Sequence, residues 1–216
     1  MIQATTSDHT TRAALFEVLT DAQRVGAIGP GRIADHVAHA IAFVEAAGAD
    51  VSPTVRILDL GSGGGLPGLV IAWRMASAQI TLLDGRTERA RRLGAAVEHL
   101  GWEDRVEVVA ERAEIEGHGR RRGTYDLVVA RGFGRPAVTA ECAAAFLRIG
   151  GLLVVSDPPD EAVQTARWDA SGCRALGLEH VASPRLPWAF TVLRLVETCS
   201  DRYPRRVGIP AKRPLF

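Results

Sequence analysis

The sequence predicts an α/β fold, a doubly wound and mostly parallel sheet preceded by a helical extension. Three observations predict it. From Val55 onward, short Val/Leu/Ile-rich runs alternate with stretches of helical pattern. The runs are nearly continuous in apolar residues, as strands covered on both faces require. The first of them ends in a glycine-rich loop that opens a helix, which is where open sheets of this kind bind ligands.

The elements follow in order. Residues Ala13–Leu19 and Arg32–Ala47 are alanine-rich, and Ile33, Val37, Ile41 and Val44 recur on one helix face. Gly26, Gly29, Pro30 and Gly31 break the chain between them. Strands are expected at Val55–Gly61, Gln79–Asp84, Arg105–Ala110, Tyr125–Ala130 and Gly151–Ser156, with helices at Leu69–Met75, Glu88–Leu100 and Ala137–Leu147. Phe190–Val196 reads as a late strand at an edge or in a hairpin. The segment Asp201–Phe216 carries Pro204, Pro210 and Pro214 and reads as an extended surface chain. The resulting division is one structural domain in three parts. Residues 1–54 form a helical cap over the carboxyl edge of the sheet, 55–200 the core and 201–216 a basic tail.

Composition narrows the classes. The chain has 216 residues, 47% hydrophobic and 24% charged, enough to bury a core without staples. A disordered chain, a collagen-like fibre and a disulfide scaffold are excluded. The net charge of +1 argues neither for nor against nucleic acid. Of the 26 basic residues only Lys212 is lysine, a bias of codon usage rather than a sign of phosphate binding. Cys142, Cys173 and Cys199 form no C-x-x-C pair, and no metal site is expected. The first residues lack the pattern of a secretory signal, and no apolar run approaches the ~20 residues that span a bilayer. A soluble, cytoplasmic monomer is expected.

The loop Asp59-Leu60-Gly61-Ser62-Gly63-Gly64-Gly65-Leu66-Pro67-Gly68 carries the most information. A dinucleotide fingerprint, G-x-G-x-x-G, fails from Gly61, because position 66 is leucine. From Gly63 it reaches Gly68 but places Pro67 inside the phosphate turn. The pattern Asp-x-Gly-x-Gly-x-Gly fits Asp59, Gly61, Gly63 and Gly65 without a gap. Asp84 ends the second strand, where a carboxylate can accept hydrogen bonds from both ribose hydroxyls of a nucleoside. The loop resembles the first motif of class I methyltransferases that use S-adenosylmethionine.

The likeness extends further. Gly65-Leu66-Pro67-Gly68, Thr81–Asp84, Arg112-Ala113-Glu114, Val129-Ala130-Arg131 and the ending Tyr203–Leu215 together resemble the GidB/RsmG family. Its members are 7-methylguanosine methyltransferases of small-subunit ribosomal RNA. The resemblance runs from about Ile28 to the C-terminus. It implies a Rossmann-like class I methyltransferase sheet, S-adenosylmethionine as cofactor, and ribosomal RNA or the small subunit as partner. It implies that Gly61 and Leu66 line the methionine and adenosine part of the site, and that Asp84 holds the ribose. Ala113 and Glu114 would flank the adenine, and Arg131 would border the site near the acceptor.

Some segments depart from the family. His36-Val37-Ala38-His39-Ala40 stands where His-x-x-Asp-Ser is usual, and Gly85-Arg86-Thr87-Glu88-Arg89 replaces Ser-x-x-Lys-Arg. Ser156-Asp157 replaces Lys-Gly, and the Asn-Leu-Thr segment common near the family's N-terminus is missing. The cofactor half is intact and the RNA half is altered. A small-molecule N-methyltransferase, a non-catalytic RNA-binding or assembly factor, and a nicotinamide-dependent oxidoreductase therefore stand as alternatives. The tail residues Arg202, Arg205, Arg206, Lys212 and Arg213 form the best basic cluster for tracking an RNA backbone. Arg120-Arg121-Arg122 reads as a solvated loop, Asp157–Asp160 as a turn, and His36 and His39 as helix-surface or packed histidines. Guanine N7 carries a free lone pair, so its methylation needs no general base, and no catalytic base is assigned.

Overall fold

The computed structural model describes residues 6–48, 54–158 and 167–216. The elements are α1 (Thr6–Arg24), α2 (Ile33–Ala47), β1 (Arg56–Leu60), α3 (Gly68–Arg74), β2 (Gln79–Leu83), α4 (Thr87–His99), β3 (Val106–Val109) and α5 (Ala113–Glu116). They continue as β4 (Tyr125–Ala130), α6 (Pro136–Ala144), β5 (Leu147–Asp157), α7 (Ala170–Ala175), β6 (Leu178–Ala182), β7 (Ala189–Leu195) and α8 (Ile209–Lys212). The strands form one seven-stranded sheet in the order β3-β2-β1-β4-β5-β7-β6. The first five strands run parallel, and β7 runs antiparallel to both β5 and β6.

The strand order reverses between β1 and β4. The loops after these strands diverge there and leave a crevice at their carboxyl ends. Alternation along the strands sorts the core into two layers. Ile57, Ile80, Val129 and Phe190 pack with residues of α1 to α4 on one face. Leu58, Leu60, Val128 and Leu153 pack with residues of α6, α7 and the C-terminal segment on the other.

Helices α1 and α2 belong to the first layer and share its core through Leu15, Leu19 and Phe43. Phe43 meets Phe190 edge-on at 4.9 Å between ring centroids. His39 sits in the same nest, 5.2 Å from Trp188 and 5.6 Å from Phe190. Burial, with help from the charge of Arg131, holds the His39 pKa down at about 4, so it packs as a neutral ring. The last turns of α1, the loop after it and the first turn of α2 reach the carboxyl edge. There Ala27 and Ile28 lie against Gly64.

The structure corrects the expected elements in places. Strand β5 begins at Leu147, because α6 stops at Ala144 and Gly150, at φ +85°, turns the chain inside what reads as helix and loop. Strand β7 is interior to the sheet and forms its hairpin with β6, an edge strand missed by pattern because Leu178 is its one buried residue. The triplet Arg120–Arg122 is not simply solvated. Arg121 is buried between Glu107 and Glu116, and Arg122 donates to the carbonyls of Gly117, Tyr203 and Cys199 at 2.7–2.9 Å. The C-terminal segment is packed rather than extended, with Tyr203, Pro204 and Pro210 buried and a short helix at α8. Pro159 and Asp160 of the expected turn lie outside the described residues.

Candidate cofactor site

The glycine loop leaves β1 and folds back under the end of β2. The N–H groups of Gly61 and Ser62 both donate to Leu83 O, at 2.8 and 3.0 Å. This fold-back needs left-handed backbone, which Gly61 (φ +78°), Gly63 (φ +55°) and Gly65 (φ +96°) supply. Asp84 stitches the loop to the next helix. Its Oδ2 accepts from Gly63 N at 2.9 Å and its Oδ1 from Arg86 N at 2.8 Å.

A Cβ at Gly65 would lie 2.4 Å from Leu69 Cδ1, and Leu69 is itself fully buried. Gly65→Ala is expected to cost about 2 kcal/mol, from the left-handed backbone and the overpacking together. Thermal unfolding followed by circular dichroism reads this directly. A melting point equal to that of the parent protein would mean the loop tolerates a side chain.

Asp59, the first residue of the motif, is fully buried. Its Oδ2 accepts from Gly68 N at 2.9 Å, at the start of α3. Its Oδ1 has no hydrogen-bond partner among the described residues. Burial drives the Asp59 pKa up to about 7, and the charge of Asp84 adds to the rise. The hydrogen bond from Gly68, the Ser62 hydroxyl and the charge of Arg131 oppose it.

Arg131 follows β4 and faces this loop. Its Nη2 lies 2.8 Å from His36 Nδ1. The other ring nitrogen, Nε2, lies 3.2 Å from Gly29 O. A carbonyl only accepts, so the network assigns the proton to Nε2 and leaves Nδ1 to accept from the guanidinium. Arg131 Nη1 is buried without a hydrogen-bond partner among the described residues. Burial pulls the Arg131 pKa down and the charge of Asp59 raises it. A guanidinium stays charged in either case.

Beyond β2 and β4 lies a cavity of about 390 Å³, lined by Gly85, Arg112, Ala113, Phe133, Val138 and Ala211 among others. Glu114 also lines it. However, its carboxylate is already held by Arg112 Nη2 at 2.8 Å and by Gly208 N at 3.0 Å. The Phe133 ring closes over the loop, since a Cβ on Gly61 would stand 2.6 Å from it.

Asp59, Gly61, Gly63, Gly65, Asp84 and Arg131 thus converge at the carboxyl ends of β1, β2 and β4. Ala113 and Glu114 lie beside them after β3. Leu66 is buried in the core layer of α1 to α4. The basic cluster of the tail divides. Arg206 and Lys212 are exposed. Arg205 is no free cation: it grips the fully buried Glu141 of α6 through Nε at 2.8 Å and Nη2 at 2.6 Å. A group so engaged is a packing anchor and not a ready phosphate contact. Sequence reading missed Phe133, the bond from His36 to Arg131, and Glu141. An acid inside the alanine-rich stretch 137–145 is the one local signal that could have flagged Glu141.

Among the described residues, no helix is long and apolar enough to cross a membrane. Among the same residues, no group of three or more His, Cys, Asp or Glu is placed to hold a metal ion.

Residues 20–176 match the family GidB, described as rRNA small subunit methyltransferase G. The Ribosomal RNA small subunit methyltransferase G of Thermotoga petrophila is 36% identical over 166 residues, covering 74% of this chain and 72% of its own length. The protein of the same name from Deinococcus deserti is 37% identical over 169 residues, covering 74% and 68%. Among solved structures, cofactor-bound Rv0187 from MTB matches with a TM-score of 0.58 at 19% identity, covering 86% of this chain and 90% of the other. That last likeness is one of fold.

Proposed function

Because the chain belongs to the GidB family of small-subunit rRNA methyltransferases, we propose that it methylates guanine N7 in small-subunit ribosomal RNA, with S-adenosylmethionine as donor. The observation that carries the cofactor half is a pair of unpartnered buried atoms of opposite character, Asp59 Oδ1 and Arg131 Nη1. Buried polar atoms are rarely left unpaired, and each such group costs about 1–3 kcal/mol. An amino-acid end carries an ammonium and a carboxylate, which would satisfy Asp59 and Arg131 respectively. The residues present therefore fit the methionyl part of S-adenosylmethionine. Asp84 uses one lone pair on each oxygen for the backbone, and a carboxylate has about four, so it retains capacity for ribose hydroxyls.

S-adenosylmethionine supplies, when bound, an electrophilic methyl group on sulfonium. The chain's own residues have a narrower task. The N7 lone pair is available without removing a proton, so positioning and exclusion of water provide the rate gain. Asp59 and Arg131 would fix one end of the donor, and Asp84 its ribose. His36 would hold the guanidinium of Arg131 in place, and Phe133 would shield the crevice.

One departure from the family loses its force here. Asp157, in place of a family glycine, is not a bare negative charge facing the acceptor. Its carboxylate accepts from Thr191 Oγ1 at 2.5 Å and Trp168 Nε1 at 3.2 Å, and lies 3.7 Å from Arg167 Nη1. A carboxylate paired within the fold is a weaker obstacle to a phosphate backbone than a bare one, although Ser156 still replaces the family's lysine. Arg206 and Lys212 would be the tail's contacts to that backbone. On this reading the protein works in the cytoplasm, where ribosomal subunits are.

The test is methyl transfer from labelled S-adenosylmethionine to small subunits from a strain lacking the family's enzyme. Positions are mapped by borohydride and aniline cleavage, which cuts at 7-methylguanosine. One strong cut is expected. No incorporation, with S-adenosylhomocysteine still bound, would transfer the acceptor to a small molecule.

A further inference from the structure

The C-terminal segment reaches the cavity lined by Gly85 and Phe133, although Ala211 lies eighty residues beyond Arg131. We propose that the short helix α8 is a wall of the cofactor site, closing the side where the nucleoside lies. This rests on the cofactor reading given above. The first observation is Ala211, which lines the 390 Å³ cavity opposite Gly85 and Phe133. A cavity of this size lies within the ~300–1,000 Å³ range of small-molecule pockets. Its lining residue Gly85 directly follows Asp84, the residue placed to take ribose.

The second observation is how α8 is held. Two carboxylates anchor the turn that leads into it. Glu114 Oε1 accepts from Gly208 N at 3.0 Å while also bonding Arg112. Glu141 takes both the backbone N–H and the side chain of Arg205. The Arg205 guanidinium then reaches across the helix to Arg213 O at 2.7 Å, clasping α8 between its two ends. Gly208 adopts φ +78°, which turns the chain at the point where it meets Glu114. Glu114 therefore couples the tail to the first turn of α5, the segment that forms the neighbouring wall of the cavity. The position of α8 and the shape of the nucleoside side are set by the same carboxylate.

The test places a large side chain where the wall faces the cavity. Ala211 is exposed apart from that cavity, so Ala211→Trp fills space without overpacking a core. Binding is measured by titration calorimetry with S-adenosylhomocysteine and, separately, with 5′-methylthioadenosine, which lacks the amino-acid end. Ala211→Trp is expected to weaken both ligands by tenfold or more, with the melting point within two degrees or so of the parent. Val207→Trp, on an exposed tail residue outside the cavity, is expected to leave both unchanged. Unaltered affinity in Ala211→Trp would overturn the proposal. So would a loss confined to S-adenosylhomocysteine, since the wall would then not face the nucleoside. A parent protein that binds neither ligand would instead sink the cofactor reading on which the inference rests.

Discussion

Replacing Asp59 by asparagine is expected to reverse its effect on stability between pH 5 and pH 8. In the folded protein the Asp59 pKa is raised from 3.8 to about 7, chiefly by burial. Below pH ~4 both folded and unfolded chains hold the proton, and Asp59 imposes no electrostatic cost. Between ~4 and ~7 the unfolded chain ionises first, so stability falls as pH rises. Above ~7 the folded chain carries the buried charge, and the full difference, roughly 4 kcal/mol, has been lost. Asparagine does not titrate, so the variant lacks this slope. Its amide can still accept from Gly68 N, but its NH₂ takes the unpartnered position, at a cost of about 1–3 kcal/mol. The variant should therefore melt at or below the parent at pH 5 and above it at pH 8.

Ligand binding should move in the opposite direction. An ammonium near Oδ1 favours the ionised carboxylate, so S-adenosylhomocysteine should bind the parent more tightly at pH 8 than at pH 6, with proton release. Asparagine offers no charge, and a tenfold or greater loss is expected at pH 8. Melting curves of both proteins at the two pH values, in parallel with calorimetric titrations, check the two halves independently. Parallel pH slopes in parent and variant would mean that Asp59 is ionised throughout. An ionised Asp59 would then hold the ammonium equally well at both pH values, and the pH dependence of binding would vanish with the slope.

How far the sequence disclosed this arrangement depends on the range of each interaction. Strands β1, β2 and β4 and the Leu153–Val155 stretch of β5 are buried and so announce themselves as apolar runs, and the edge strand β3 is legible from its three valines although only Val106 is buried. The glycine loop is equally legible, because positive φ at Gly61, Gly63 and Gly65 demands one residue type at fixed spacing. Strand β6 is not legible, since Glu179 and His180 interrupt its apolar residues and only Leu178 is buried. Nor are partners far apart in sequence. His36 and Arg131 are 95 positions apart, and Glu141 and Arg205 are 64 apart. Nothing local to either residue names the other. The three prolines of the tail suggested an extended chain because proline resists regular structure. Here Pro204 and Pro210 are buried as packing groups, and their rigidity suits a segment pinned to the fold.

The same pinning makes Arg205 the site of the second large effect. Glu141 is fully buried on α6 and takes three hydrogen bonds from Arg205: N at 2.8 Å, Nε at 2.8 Å and Nη2 at 2.6 Å. Arg205→Met keeps most of the apolar stem but removes the two side-chain bonds and the charge. Breaking a buried ion pair from one side costs about 3–5 kcal/mol, because the other charge remains buried and uncompensated. For a chain of this size each kcal/mol lowers the melting point by about 2–4 °C, so a fall of the order of 10 °C is expected. Added salt should restore little of it, since buried pairs are poorly screened. The double variant Glu141→Met with Arg205→Met removes both charges and should recover much of the loss. A surface phosphate contact at Arg205 would behave differently. The single variant would then melt with the parent, and only methylation of ribosomal subunits would suffer, increasingly so at high salt. The buried geometry of Glu141 favours the first outcome. Were the second observed, the tail would be held chiefly by Glu114, by Arg122 at the Tyr203 and Cys199 carbonyls and by Tyr203 packing, and Arg205 would return to the RNA surface with Arg206 and Lys212.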